Sequence, residues 1–375
     1  MKKRLNTSQA LKAMESAGLT QAAIAQQLHV SREAVSQWFS DKSFPRPDKL
    51  LKLGKILSLP FNELVIKEDL SAPVVAFRRM RGTRTMDHHI KKAQDIGRVL
   101  RHLVPYLPFD TLEMPPVLKA PVCDYDYLQI VARKVRADIC VEIDATIDFS
   151  HLIRRFAELQ TVLVPVMWGS KQRHENAMHI FLPDSRTTWV YLNLDVNVHD
   201  FKFWMSHEMG HCMSPSLRDE VAEDFADAFA GALLFPGEQA AAAYSEVSRQ
   251  RSKKTQLDRL VEIANKHTIS PNTVYIEMNR YAEHVGKDRI ELEPDLYKWI
   301  ANLNKQFPNV SEIVFGDIEL LAADEYIEKS KKAFGTPFFD VLGRYLREHG
   351  KGAGIVQMVM DANLLDAQAL HAELT

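Results

Sequence analysis

Hydrophobic residues in the first 58 positions recur at helical spacing in four short blocks. The blocks are Leu11 and Met14; Ile24, Ala25 and Leu28; Val35, Trp38 and Phe39; and Leu50, Leu51, Leu53 and Leu57. Apolar residues three or four positions apart share one face of a helix, so this spacing predicts four or five short helices. Thr20 and Ser31 precede two of these helices and can cap them.

The hydrophobic pattern changes in the middle of the chain. Runs of β-branched and aromatic residues occupy 161–167, 177–182 and 188–193. Separated by polar turns, they predict three strands of one small antiparallel or mixed sheet. Helical spacing then resumes after Asn197, ends at Pro215, and returns in a second amphipathic stretch at 222–236. The expected fold class is mainly α with a small β-sheet (α+β).

Composition narrows the class of protein. The chain has 375 residues, of which 46% are hydrophobic and 26% charged, enough for two or three domains with cores of their own. Its three cysteines are odd in number and widely spaced, which fits a reducing compartment. Neither a signal peptide nor an apolar stretch of membrane-spanning length is evident, so we expect a cytoplasmic protein without a membrane partner.

With a net charge of -2 the protein as a whole is not a polycation, yet positive charge is concentrated in its N-terminal segment. Residues 1–58 carry ten basic against four acidic side chains. Within them, LTQAAIAQQLHVSREAVSQWF resembles the helix-turn-helix of the Xre (lambda-repressor-like) family. His29 stands at the turn position where that family usually has glycine, and histidine is among the residues that tolerate positive φ. The alternative is a small helical bundle that binds only proteins.

The resemblance implies a double-stranded DNA operator as partner. The helix beginning at Ser31 would enter the major groove. Candidate contacts to base edges are Arg32, Glu33 and Gln37, and Gln21 and Ser36 would lie nearer phosphates. Because proteins with Xre domains usually read paired half-sites, we expect a homodimer.

The segment FWMSHEMGHC contains His-Glu-x-x-His on the predicted helix that ends at Pro215. His207 and His211 project from the same face one turn apart, a spacing at which two imidazoles can hold one zinc ion. Glu208 stands beside the first histidine, where a carboxylate can act as general base on a metal-bound water. The alternative is that both histidines are packed in the core and bind no metal.

A catalytic zinc site needs a third protein ligand. Four acidic residues compete for this role in the next helical pattern: Glu220, Glu223, Asp224 and Asp227. Glu223 and Asp227 share a face, so one can ligate the metal while the other hydrogen-bonds a ligand imidazole.

The strand, the His-Glu-x-x-His motif and the following Glu-x-x-Ala-x-x-Phe-Ala-x-x-Leu-Leu-x-Pro pattern together resemble the ImmA/IrrE family of metallopeptidases. The resemblance implies Zn²⁺ held by His207, His211 and Glu223, with Glu208 as catalytic base. Members of that family commonly have asparagine at the position of Asp227. The aspartate of this chain would then be a charged hydrogen-bond partner for one of the ligand histidines. The same ligand set is also compatible with a domain that binds metal but does not hydrolyse peptides.

These patterns divide the chain into four segments. They are a helix-turn-helix domain (1–68), a linker with one helix (69–123), a zincin-like metallopeptidase domain (124–286) and a helical region without assigned chemistry (287–375). A basic run in the linker (Arg78, Arg79, Arg81 and Arg84) is interpreted as a solvated face, with a second phosphate contact as the alternative. The pattern at 260–275, also shaped like a helix-turn-helix, is interpreted as packing structure because it lacks basic partners.

The expected function is a DNA-binding transcriptional regulator whose zinc-dependent metallopeptidase domain cleaves a repressor or regulator protein, or itself. The alternative is a non-enzymatic repressor or antitoxin, of a prophage or toxin-antitoxin system, that uses the peptidase-like domain for binding or sensing.

Overall fold

The computed structural model describes residues 2–40, 42–68, 72–77, 87–109, 117–168, 177–316 and 321–375. The chain divides into two compact units, Met1–Ala72 and Pro73–Thr375. The basic run of the predicted linker lies outside the described residues. Among the helices in the described ranges, none combines the length and apolar character that a membrane span requires.

The first unit is a small helical bundle closed by a two-stranded sheet. Its elements are β1 (Lys2–Leu5), α1 (Thr7–Ser16), α2 (Gln21–Leu28), α3 (Arg32–Phe39), α4 (Pro47–Ile56), α5 (Phe61–Leu64) and β2 (Val65–Glu68). The short helices predicted from the apolar blocks are confirmed. The sequence predicts an all-α domain in this unit, and that prediction is wrong, because β1 and β2 pair antiparallel with Leu5 opposite Val65. Strands of four residues leave too little alternation to be recognised from sequence.

A four-stranded mixed sheet lies in the second unit. Its strands are β3 (Val74–Phe77), β4 (Thr161–Val166), β5 (Ala177–Leu182) and β6 (Thr187–Asn193), in the order β3-β5-β6-β4. β4 runs parallel to β6, and the other pairs are antiparallel. The three predicted strands are confirmed. The fourth, β3, comes from the segment interpreted as a linker.

Fourteen α-helices of the described residues surround this sheet. They are α6 (Asp87–Leu100), α7 (Tyr125–Asp138), α8 (Phe149–Glu158), α9 (Val198–Met213), α10 (Asp219–Leu234), α11 (Gly237–Ser248), α12 (Lys253–His267), α13 (Pro271–His284), α14 (Asp295–Asn304), α15 (Val310–Phe315), α16 (Ala323–Phe334), α17 (Phe338–His349), α18 (Ala353–Met360) and α19 (Leu364–Leu374). A 3-10 turn covers Val104–Tyr106.

Residues 287–316 and 321–375 contribute to one hydrophobic core with the sheet and with α9. The Tyr326 hydroxyl donates to the Pro165 carbonyl of β4 at 2.6 Å, and Thr336 donates to the Leu163 carbonyl. The C-terminal helices therefore help to cover the sheet that carries the candidate site.

The helix-turn-helix pattern at 260–275 forms α12 and α13. Thr268 occupies the left-handed region between them, with φ 50°. Tyr275 and Met278 of α13 are buried. Eight of the fourteen residues of α13 are buried, in agreement with the interpretation of this segment as packing structure.

Candidate metal centre and DNA-binding surface

The candidate metal centre is built by two adjacent helices, α9 and α10. The side chain of Asn197 accepts a hydrogen bond from the His199 amide at 3.0 Å and so caps α9. Gly210 allows α10 to come close, since a Cβ at this position would lie 3.0 Å from the Ala226 Cα. The two helices can therefore bring their side chains to one point.

Two imidazole nitrogens and the two oxygens of one carboxylate meet between these helices. His207 Nε2 lies 3.1 Å from His211 Nε2 and 3.4 Å from Glu223 Oε2, and His211 Nε2 lies 3.4 Å from Glu223 Oε1. Two imidazoles and one carboxylate are a donor set that zinc accepts, with bonds of about 2.0–2.2 Å. The edge of a tetrahedron with such bonds is about 3.3–3.6 Å, and each imidazole nitrogen lies at this distance from one of the two carboxylate oxygens.

Asp227 holds the first of these imidazoles in place. His207 Nδ1 lies 2.9 Å from Asp227 Oδ1, so a proton on Nδ1 is donated to the carboxylate. The opposite atom, Nε2, is then left with a lone pair directed at the candidate metal position. The two acidic residues that also competed for the ligand role, Glu220 and Asp224, are exposed on α10. In the described part of the chain, Glu223 is the acidic residue that joins the histidines in a cluster with ligand spacing.

Electrostatics favour one positive charge at this point. Burial opposes charge on His207, yet hydrogen bonds to Asp227 and Glu223 and the nearby Glu208 raise its pKa to about 9. Burial, together with the charge on His207, lowers the pKa of His211 well below its usual value. The opposite shifts are consistent, since two imidazolium rings cannot be charged with their Nε2 atoms 3.1 Å apart. The carboxylates that favour a proton here would also favour a metal cation.

A cavity of about 130 Å³ opens beside two of the three ligands. Among the described residues, its wall includes His211 and Glu223, the edge strand β3, Arg218 and His179. Glu208 is not among these lining residues, and its side chain is buried, with 1% of the residue exposed. The structure thus places the predicted base next to His207, behind the cavity wall.

The sequence predicts that Cys212 is a packed thiol and that a set of histidines without partners at ligand spacing are ordinary surface or structural residues: His88, His89, His174, His179 and His199. Cys212 is buried with Sγ 3.8 Å from the Thr161 hydroxyl, which confirms a packed thiol. His199 is buried against the Phe307 ring. His174 and the side chain of His88 lie outside the described residues. His179, interpreted from sequence as an ordinary structural residue, instead lines the cavity, with its ring centroid 5.7 Å from that of His211.

The turn between α2 and α3 has the geometry expected of a helix-turn-helix. The amides of Ala23 and Ala34 donate to the hydroxyls of Thr20 and Ser31, each at 3.2 Å, so both predicted caps are confirmed. His29 adopts φ 50°, as predicted for the position where glycine is usual. These contacts fix the start of α3 and the angle at which it leaves α2.

The predicted DNA contacts lie on α3, except Ser31, which caps this helix, and Gln21, which is the first residue of α2. Arg32, Glu33, Ser36 and Gln37 are exposed, Gln21 is half-buried, and the Ser31 hydroxyl is engaged as the cap. Hydrogen bonds to its own backbone amide and to Ser31 lower the pKa of the Glu33 carboxyl. Glu33 is therefore an anion tied to the helix start, and Arg32 and Gln37 are left as the more direct candidates for base contacts.

Comparison with known proteins agrees with this geometry. Residues 11–64 match a family model described as helix-turn-helix. The N-terminal unit contains an Xre-type helix-turn-helix. A segment of 52 residues, 14% of the chain, is 42% identical to the HTH-type transcriptional activator BcrR of Enterococcus faecalis. The chain spans 26% of the length of that relative. No solved structure matches the chain.

Proposed function

We propose that the protein is a DNA-binding transcriptional regulator whose second unit binds zinc and hydrolyses a peptide bond. The observation that carries the proposal is the convergence of His207, His211 and Glu223, whose ligating atoms lie within 4.8 Å of one another, on a chain that also contains a helix-turn-helix. The spacing of the ligating atoms supports metal binding, and the cavity beside them supports access by a small part of another chain.

Each residue has a distinct task in the proposed reaction. His207, His211 and Glu223 would hold the ion, and Asp227 would keep His207 oriented. Bound zinc supplies Lewis acidity to a water molecule and to a substrate carbonyl. Glu208, buried beside His207, would accept the proton of the water and pass it to the leaving amine. A small movement of its side chain toward the cavity is part of this proposal.

The substrate we propose is a repressor or regulator protein that binds DNA close to this one, or the chain itself. A helix-turn-helix covalently joined to a peptidase raises the local concentration of any protein that occupies neighbouring DNA. Cleavage of this chain between its two units would equally alter regulation. We propose a homodimer as the DNA-binding form, because paired half-sites are the usual targets of this domain.

Metal content and cleavage test the proposal separately. The purified wild type should contain one zinc per chain, Glu223→Ala should contain almost none, and Asp224→Ala, on an exposed position of the same helix, should retain it. Candidate repressors co-expressed with the wild type should be cleaved, and those co-expressed with Glu208→Gln should remain intact. An unaltered zinc content in Glu223→Ala would contradict the proposed ligand set.

A second candidate function is supported by the position of Glu208 behind the cavity wall and by the small volume of the cavity. In this alternative the second unit binds metal or a partner protein without cleaving it, and the protein acts as a repressor or antitoxin. Stoichiometric zinc with identical behaviour of the wild type and Glu208→Gln toward every candidate would favour it. Cleavage that depends on Glu208 would exclude it.

A further inference from the structure

His179 is a polar residue in an apolar position of the sheet. It lies on β5, opposite Ala76 of β3 and Val190 of β6, and only 5% of it is exposed. Its ring approaches that of His211, with centroids 5.7 Å apart, and it lines the cavity beside the candidate metal ligands. An aliphatic residue would satisfy the packing of a buried strand without the cost of burying an imidazole.

The Nε2 atom of His179 is buried and has no hydrogen-bond partner within the described part of the chain. An unsatisfied buried polar atom costs about 1–3 kcal/mol, and such atoms are few in native proteins. Fold stability therefore gives no reason for histidine at this position. A ligand that enters the cavity and hydrogen-bonds the ring gives one.

His179 lies beside the ligand cluster without belonging to it. The ligating atoms of His207, His211 and Glu223 all lie within 4.8 Å of one another, and His179 is outside this set. Three protein ligands leave a fourth tetrahedral position for water or substrate. Because His179 shares the cavity wall with His211 and Glu223, its ring adjoins whatever occupies that position from the cavity side.

We propose that His179 donates a hydrogen bond to the oxygen atom of the molecule bound at the open metal position. The inference rests on the proposed metal site and deepens it. In hydrolysis the acceptor is the carbonyl oxygen of the scissile peptide, on which negative charge develops as water adds. A positioned N–H directed at that oxygen stabilises the developing charge. His179 is in this sense a catalytic residue that stays outside the ligand set.

Two substitutions at this position and one control test the assignment. His179→Phe keeps an aromatic ring and removes the donor, whereas His179→Gln keeps an N–H group. Phe181→Leu changes the wall of the same cavity without affecting any polar group. Each full-length variant is loaded with Co²⁺, and acetohydroxamate, a small oxygen ligand of open metal sites, is titrated while the visible absorption is followed. Metal content is measured in parallel.

We expect one metal per chain in all four proteins. Acetohydroxamate should bind about 10- to 100-fold more weakly to His179→Phe, consistent with loss of one hydrogen bond to a charged acceptor. His179→Gln should recover much of this loss, and Phe181→Leu should bind as the wild type does.

Three results would overturn the assignment. Equal affinity of His179→Phe and wild type would show that the ring does not contact the bound oxygen. Loss of metal from His179→Phe would make His179 a ligand. Failure of acetohydroxamate to bind the metal-loaded wild type would show that no open position exists. A wild type that takes up no metal contradicts the proposed function itself, which distinguishes that failure from the others.

Discussion

His207 Nδ1 lies 2.9 Å from Asp227 Oδ1, and this contact joins a fully buried side chain to one that is 46% exposed. The pair connects the core of α9 to the surface of α10 at the level of the candidate metal. Because it fixes which ring nitrogen carries the proton, it decides which nitrogen is available to a cation.

Removal of the Asp227 carboxylate should weaken metal binding while leaving the ligands intact. We expect Asp227→Ala to reduce zinc affinity by about 10- to 100-fold, as is typical for partners of ligand histidines. Asp227→Asn keeps an oxygen acceptor without the charge and should lie between Ala and wild type. Competition with a chromogenic chelator measures the three affinities. Equal affinities for Asp227→Ala and wild type would show that the contact does not orient His207.

Metal removal should lower the thermal stability of the second unit, because an ion that binds only the folded state stabilises it. At a free zinc concentration 100-fold above Kd the contribution is about 2.7 kcal/mol, which corresponds to a decrease of roughly 5 °C in Tm on addition of a chelator. Glu223→Ala should unfold at the same temperature with and without chelator, and Asp224→Ala should respond as the wild type does. Calorimetry of the full chain checks this result. A chelator effect of equal size in Glu223→Ala would place the ion elsewhere.

The parts of this structure that could be predicted from sequence are those set by local periodicity and capping. The helix from Val198 to Met213 follows from Asn197 and Pro215, and its i, i+4 histidines follow from helix geometry alone. Spacing left four acidic residues open as third ligand, and the family resemblance selected Glu223. The packing of α10 onto α9 brings this residue to the histidines.

The parts that could not be predicted depend on pairing between distant segments. The strand Val74–Phe77 contributes the cavity edge through register with β5, which begins 100 residues after Phe77. His179 becomes relevant only through that sheet. In the sequence, Arg136 occupies a polar position of an amphipathic helix and is expected to be exposed. In the structure its guanidinium is buried and donates a hydrogen bond, at 2.8 Å, to the Leu233 carbonyl at the end of α10. Such contacts carry no periodic signal in the sequence.

Close packing of α10 against α13 leaves no space for a side chain at Gly231. A Cβ built there would overlap the Glu277 carboxylate, with the Glu277 Cδ at 2.8 Å, and this carboxylate is held by Arg280. We expect Gly231→Ala to lower the free energy of unfolding by about 1–3 kcal/mol through overpacking. Gly354→Ala, on a helix position with open space, is the matched control and should be neutral or slightly stabilising. Denaturant titration measures both.

Combining the substitution with Glu277→Ala tests the cause of this effect. If contact with the Glu277 carboxylate is responsible, Gly231→Ala should cost much less in the Glu277→Ala background. Equal costs in both backgrounds would mean that the backbone of α10, and not this contact, disfavours alanine.

Glu277 should also make stability depend on pH. Burial raises the pKa of its carboxyl to about 7, although the adjacent Arg280 favours the charged form. A carboxyl with a raised pKa in the folded state binds its proton more tightly there than in the unfolded chain. Its contribution to stability is therefore complete below the unfolded value of 4.5 and is lost as the pH rises through 7.

The corresponding experiment compares Glu277→Gln with the wild type. The free energy of unfolding of Glu277→Gln, relative to that of the wild type, should be higher at pH 8 than at pH 4.5 by up to about 3 kcal/mol. This is the equivalent of about two pKa units. Denaturant titrations at the two pH values give this difference. A stability difference that does not change with pH would show that Glu277 is charged in the folded protein throughout this range.

The exposed residues of α3 should determine which DNA sequence is bound. The sequence selected by the wild-type protein from a random DNA library supplies the test site. We expect Arg32→Ala to weaken binding to that site, with a smaller dependence on salt if the guanidinium contacts phosphate. Gln37→Ala should relax the preference at one base pair, at a cost of about 1–3 kcal/mol for the wild-type site.

Gln27→Ala is the matched control for the glutamine substitution, because Gln27 is exposed on α2, outside the predicted recognition helix. It should select the same DNA sequence as the wild type with nearly the same affinity. The selected sequence should contain two related half-sites about one helical turn apart, as expected for a dimer. Should Gln37→Ala select an unaltered sequence with unaltered affinity, Gln37 would not contact a base. The same result for Arg32→Ala would mean that α3 is not the element that reads the bases.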